Sequence, residues 1–546
     1  MGTVTLTRRK FFIVAAGLTG AAALGARTFP VAMAAQGGRR QFEFKTGILT
    51  PGAWPDGKPK EGGIWAINGM FPGPTIRAKE GEEISVTLCN NLPQPTTLHW
   101  HGIHQNGTWF MDGVERITQY AIKPGDCFTY TFRAYPAGTH WYHSHTGVQY
   151  SDGLFGPLII EENENPYKDE YNYDRIIMIN DWFHIPAEQI LANLKKVAYM
   201  PMKGGTAMKM GASMTIDMGS GLKGPNMSMD MQSVDMPDVG DVPFESALIN
   251  GKGRFDPSSQ APLEIYEVNP KDRIRFRIIN ASSTYAFRFA IDGHNLSVIA
   301  TDGALTKPLE VDGLIIDVGE RFDVIVKADQ PAANYWIRAK TLEEDKEDHA
   351  LAVLRYGGAS VELTQSAAAW GTLLKLGDLK PYTPQKPKAP TTDKLLVLTG
   401  SMMPYRWMVN GQVFELPRKP LTEDRNPPEP PVTQMKLKEG DVVRVVINNE
   451  SKMSHPFHLH GHYFHVLGLS AEGAGKYNGQ ALNETDPIQK DNLTIPRKGW
   501  AVVQWEAGNP GVWFFHCHIE WHLEAGMAIL VIEGDPPPPP PNVGKV

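Results

Sequence analysis

Residues Gly81–Gly102 read GEEISVTLCNNLPQPTTLHWHG, and the stretch recurs without a gap as GDVVRVVINNESKMSHPFHLHG at Gly440–Gly461. Within it Ile84, Val86 and Leu88 alternate with other residues, the period-two signature of a strand with one buried face. Phe128, Tyr130 and Phe132 repeat that alternation. Further on, Gly138–Gly156 (GTHWYHSHTGVQYSDGLFG) aligns with Gly511–Ile529 (GVWFFHCHIEWHLEAGMAI), again without a gap. The two ends of the chain are therefore copies of one β-unit with different loop lengths. A weaker third copy lies between them. Asp272–Asn280 follows the first strand pattern and Gly319–Lys340 the second, with Tyr335-Trp336-Ile337-Arg338 where the other copies carry histidines. The reading is an all-β chain of three β-sandwich domains, of which the middle one kept the scaffold without the histidines.

Composition agrees. The 546 residues are 42% hydrophobic and 21% charged, which excludes bulk disorder, collagen and coiled coil. Many Gly and Pro residues cut the chain into short runs, as β-structure requires. A net charge of −7 leaves no basic footprint for nucleic acid. Residues 1–34 are set aside as an export signal: Arg8, Arg9 and Lys10 precede an apolar stretch broken by Gly17, Gly20 and Gly25, and Ala32-Met33-Ala34 offers a cleavage site. The string TRRKFF at Thr7–Phe12 resembles a bacterial twin-arginine signal, with an uncleaved anchor as the alternative. The expected location is periplasmic or secreted, with no membrane span in the mature chain. The remaining boundaries are a first domain at 39–164, a second at 165–358, a linker at 359–390, a third domain at 391–534 and a Pro-rich tail at 535–546. The tail should be extended and unpacked.

Ten of the 17 histidines fall in four tight motifs. On a strand, residues i and i+2 face one side, about 6.5 Å apart. Four HxH pairs thus present eight imidazoles: His99 and His101, His143 and His145, His458 and His460, His516 and His518. Half come from each end of the chain, so the cluster belongs at the interface of the two outer copies. Cys517 points the other way and can join His455 and His522, with Met527 as a weak axial ligand. A thiolate, two imidazoles and a distant thioether form a blue-copper set. Zinc is the main metal alternative, but this donor set matches closed tetrahedral zinc poorly. His104, His140, His462 and His465 lie off the motif spacing and read as supporting residues; His184, His294 and His349 are isolated.

The motifs HWHG, HWYHSH, HPFHLHG and HCHIEWHLEAGM resemble the copper signatures of three-domain multicopper oxidases, the laccase family, over nearly the whole mature chain. The resemblance implies cupredoxin-like Greek-key domains and four copper ions: one type 1, one type 2 and a type 3 pair. By it His455, Cys517, His522 and Met527 match the type 1 ligands, and His99 and His458 the type 2 ligands. His101, His143, His145, His460, His516 and His518 match the type 3 pair. The type 1 ligands align in domain one with Thr96, Ser144, Gln149 and Leu154, all non-ligands, so one type 1 site is expected. Asp112 and Glu520 resemble the family's two proton-supplying acids, the alternative being solvated surface carboxylates.

The implied reaction takes single electrons from a donor and reduces O2 to water. The text around the sites resembles the branch acting on phenols and aromatic amines, and an axial Met527 suits such easily oxidised donors. Ten of 21 methionines crowd into Met200–Met236, whose soft thioethers suit Cu(I). That composition suggests extra Cu(I) capture, as in copper-tolerance members, or else an incidental linker. A copper-sequestering protein is the non-enzymatic alternative. Glu524 is a weak candidate for iron oxidation. Cys89 and Cys127 form a disulfide if their strands are neighbours, and are free thiols otherwise.

Overall fold

The computed structural model describes residues 35–36, 39–198, 242–255, 259, 261–342, 349–357, 359, 370–402, 405–423 and 433–540. Residues 1–34 and the methionine-rich residues 200–236 fall outside these residues, so the expectations of an export signal and of Cu(I) capture do too.

Among the described residues six sheets form, two per copy of the repeat. In each copy one central strand lies between a parallel and an antiparallel neighbour. Glu83–Cys89 runs beside Arg39–Leu49 and Cys127–Arg133. Arg273–Asn280 runs beside Tyr173–Trp182 and Arg321–Lys327. Val442–Asn449 runs beside Thr392–Met402 and Trp500–Glu506. The second sheet of each outer copy carries the histidine strands, His99–His101 with Gly138–His143 and His455–Leu459 with Gly511–Cys517.

The repeat also shows in its turns. Asn68-Gly69, Asn250-Gly251 and Asn410-Gly411 all adopt positive φ, and each closes a hairpin behind a short buried strand. Asn-Gly suits this turn because glycine has no Cβ penalty there and asparagine tolerates the left-handed region. The alternation read from Ile84, Val86 and Leu88 holds: all three are fully buried.

Cys89 pairs directly with Cys127 across neighbouring strands, and the two are disulfide-bonded. The tail departs from expectation. Trp109 Nε1 donates to the Pro537 carbonyl at 2.9 Å, so the proline run lies against the first domain instead of standing free. The described part of the linker is likewise laid down, Lys307 N donating to Lys380 O and Tyr382 N to Leu305 O. A buried ion pair stitches the first copy to the middle one: Arg275, in the middle copy, holds Glu162 of the first at 2.6 Å and Asp323 of its own copy at 2.6 Å. No helix among the described residues is long and apolar enough to cross a membrane.

Candidate metal centre

Strand register assembles the histidines. His99 faces His143 across one antiparallel strand pair, and His458 faces His516 across the equivalent one. The two half-sets meet face to face: His99 stacks on His460 with centroids 3.9 Å apart, and His101 on His458 at 3.7 Å. His460 Nε2 lies 3.0 Å from His516 Nε2, and His101 Nδ1 lies 3.1 Å from His518 Nε2. All eight side chains named from the HxH spacing come together in one nest.

The outward nitrogen of most rings is spoken for. Nδ1 of His99 donates to Asp112 O (2.8 Å), that of His143 to Ser144 O (2.9 Å), that of His458 to Asp491 O (2.9 Å) and that of His516 to Cys517 O (2.8 Å). His460 Nδ1 donates to Asp112 Oδ2 at 2.7 Å. These bonds fix the tautomer and leave Nε2 as an inward lone pair. Nε2 of His99, His143, His145 and His458 is buried without a hydrogen-bond partner. Burial, then the neighbouring imidazoles, holds His101, His143, His145, His460, His516 and His518 well below the ordinary histidine range. Neutral imidazoles whose lone pairs converge within about 3 Å in a buried nest can hold a cation, and the donor set fits copper.

On the other face of the same strand, Cys517 Sγ lies 3.6 Å from Nδ1 of both His455 and His522, whose own Nδ1 atoms are 3.1 Å apart. Burial, then the His522 ring, depresses His455 as well. Met527 is fully buried beside them, its backbone bonded to Cys517 and His522. In the first domain the equivalent positions are closed by hydrogen bonds: Thr96 and Ser144 both donate to Gln149 Oε1, at 2.7 and 2.8 Å. A self-satisfied triad stands where the third domain places His455, Cys517 and His522.

Asp112 and Glu520 are 1% and 2% exposed, which removes the surface-carboxylate alternative. Asp112 sits between His99 and His460. Glu520 begins the short helix Glu520–Glu524, accepts a hydrogen bond from Ser151, and lines a cavity of about 10 Å³ with His143, His145, His516 and His518. Burial pushes its carboxyl well above the usual range, Ser151 opposing. Of the off-motif histidines, His462 bonds the His460 carbonyl (3.1 Å) and Glu533 (3.1 Å), and His140 bonds the Pro136 carbonyl (3.0 Å). His184 pairs with Asp56, and His294 with Tyr356, both away from the nest.

Sequence reasoning missed two residues here. Asp491 lies 3.2 Å from His101 Nε2, and Arg321 of the middle domain donates to Asp491 at 2.6 and 2.5 Å. Neither lies in a histidine motif, and nothing in their local sequence marks them.

The multicopper oxidase family's sequence patterns match residues 51–165, 173–359 and 387–537, one for each copy of the repeat. The chain belongs to the multicopper oxidase family. A laccase of Phlebia radiata is 32% identical, with 90% of this chain and 89% of that one covered. An L-ascorbate oxidase of Cucurbita pepo var. melopepo is 30% identical, covering 86% and 91%. Among solved structures, Fet3p, described as a multicopper oxidase that functions in iron import, superposes with a TM-score of 0.75 at 25% identity, covering 91% and 90%. The Botrytis aclada laccase gives 0.75 at 28% identity, covering 93% and 89%. As a multicopper oxidase the chain is an oxidoreductase that uses oxygen and copper cofactors, built on three cupredoxin-like domains.

Proposed function

We propose that this multicopper oxidase is a laccase-like enzyme holding four copper ions. It takes electrons singly from phenols or aromatic amines and passes them to O2, which leaves as water. His455, Cys517, His522 and Met527 would hold the type 1 ion, and His99 and His458 the type 2 ion. His101, His143, His145, His460, His516 and His518 would hold the type 3 pair. When bound, copper supplies the one-electron redox chemistry. The observation that carries the reading is the alternation of one strand: Cys517 faces the mononuclear centre while His516 and His518, its covalent neighbours, face the nest.

The chain's own residues do the rest. Burial raises the Glu520 carboxyl well above the ordinary range, which favours a proton held at the edge of the nest cavity. Asp112 aligns His99 and His460, its Oδ1 lying 3.2 Å from His99 Nδ1 and its Oδ2 accepting from His460 Nδ1. For the donor, a cleft of about 340 Å³ between the second and third domains is lined by Leu342, Leu374, Leu376, Met453, Leu493 and Ile519. Met453 lies two residues before His455, so an apolar aromatic ring held there sits beside the mononuclear centre.

A second reading, a periplasmic Cu(I) oxidase, draws on residues 200–236. The described chain stops just before them at helix Ala187–Ala198, which packs near Tyr405–Val409. Trp407 of that strand packs against His522, ring centroids 4.0 Å apart. The twin-arginine reading of residues 1–34 supports export to the periplasm or beyond.

Oxygen uptake by the copper-loaded chain, with a methoxyphenol and with Cu(I), tests both readings on the intact protein and on one lacking 200–236. Dominant phenol turnover that survives the deletion supports the laccase-like reading. Dominant Cu(I) turnover that collapses on deletion replaces it with the second. No uptake with either donor favours copper sequestration.

A further inference from the structure

His101 is the exception in the nest. Its Nδ1 points inward, 3.1 Å from His518 Nε2, and its Nε2 points outward to Asp491 Oδ1 at 3.2 Å. For Nδ1 to present a lone pair, Nε2 must carry the hydrogen and therefore needs an acceptor. Asp491 is the carboxylate in place. The same residue also steadies the ring stacked on His101, because its backbone oxygen accepts from His458 Nδ1 at 2.9 Å.

Asp491 is itself clamped from the middle domain. Arg321 Nη1 donates to Oδ1 at 2.6 Å and Nη2 to Oδ2 at 2.5 Å, a fork-to-fork geometry. Nη1 also lies 3.2 Å from the Gly319 carbonyl and 3.0 Å from His101 Nε2 itself; with its two hydrogens on the Asp491 and Gly319 oxygens, His101 Nε2 keeps its own hydrogen for Asp491. Nε bonds Thr139 O and Nη2 bonds Asp302 O, each at 3.0 Å, and the guanidinium is fully buried. The surrounding backbone is cut to fit. A Cβ at Gly319 (φ +82) would lie 2.9 Å from the His518 ring, and one at Gly102 (φ +92) would lie 2.8 Å from Arg321 Nη2.

We propose that Arg321 and Asp491 form a positioning pair through which the middle domain sets the orientation and tautomer of His101, and the orientation of His458, in the copper nest. The middle domain is then part of the trinuclear site's wall. The inference rests on the nest holding copper, as proposed above.

The test uses the full chain loaded with copper and two variants, Arg321→Lys, which keeps the charge but loses the fork, and Asp491→Asn. The readouts are copper per chain after a chelator challenge, the type 2 electron paramagnetic resonance spectrum, the type 3 absorption and the Cys517 thiolate–copper band. Both variants are expected to hold nest copper roughly 10–100-fold more weakly with an altered type 2 spectrum. The Cys517 band should stay unchanged. Full retention with an unaltered type 2 spectrum in both variants overturns the proposal. So does parallel loss of the Cys517 band in both, which would make the pair a prop of the fold. A wild-type chain without nest copper would instead overturn the copper reading itself.

Discussion

Ser151 of the first domain donates its hydroxyl hydrogen to Oε2 of Glu520 in the third, although 369 residues separate them. The bond fixes the carboxyl at the edge of the nest cavity and leaves Oε1 buried without a hydrogen-bond partner. Glu520→Gln keeps the shape and removes the proton. Oxygen turnover should fall roughly 100-fold or more, while the Cys517 band and donor oxidation at the mononuclear centre persist. Ser151→Ala, which loosens Glu520 without discharging it, should cost about tenfold. Oxygen uptake under saturating donor measures both, and full activity in Glu520→Gln would remove the residue from the proton path.

Asp181 gives a pH dependence. Burial raises it from 3.8 to about 6, against the hydrogen bonds from Ser283 and Thr284. Between those values the folded chain keeps a proton that the unfolded chain has released. Stability present at low pH is therefore lost as pH rises from about 4 to 6, by about 3 kcal/mol for two units. Asp181→Asn, which mimics the protonated form, should flatten that slope in denaturant titrations across the window. An unchanged slope would assign it to other groups.

The Cys89–Cys127 bridge closes a loop of 38 residues that includes His99 and His101. Replacing both cysteines with alanine should lower unfolding free energy by about 2–4 kcal/mol without changing copper content. Equilibrium unfolding and metal analysis on the same samples separate the two effects.

Gly102 ends the HWHG motif for a reason local sequence does not reveal. A Cβ there would meet His140 Nδ1 at 2.3 Å, in a backbone conformation that L side chains avoid. Gly102→Ala should cost about 2–4 kcal/mol, strain and overpacking together. A variant as stable as the parent would show that the His140–Arg321 layer yields easily.

These residues mark the border of what a linear reading reaches. The eight nest histidines were legible because each HxH pair is local to one strand, and period two alone puts both rings on one face. The mononuclear set followed from the same pleat, with Cys517 opposite in phase to its neighbours. Pairing of Cys89 with Cys127 stayed open because it depends on register between strands, which spacing does not supply. Arg321 and Asp491, 170 residues apart, were invisible because they meet only when three domains converge. The third copy could have been read more firmly from Asn68-Gly69, Asn250-Gly251 and Asn410-Gly411, a turn signal repeated at the same place in each copy. The packed tail was missed since a proline run offers carbonyls, and only the fold decides that Trp109 is there to use one.

The division of labour between the two centres carries a chronology. His455, Cys517, His522 and Met527 all belong to the third domain, whereas the nest is split between the first and the third. On the copper reading, a chain whose first domain has not yet docked already owns a finished blue centre but only two halves of an oxygen site. Colour should then appear before turnover during copper loading of a refolding chain. The interval between them would time the closure of the outer domains around the middle one.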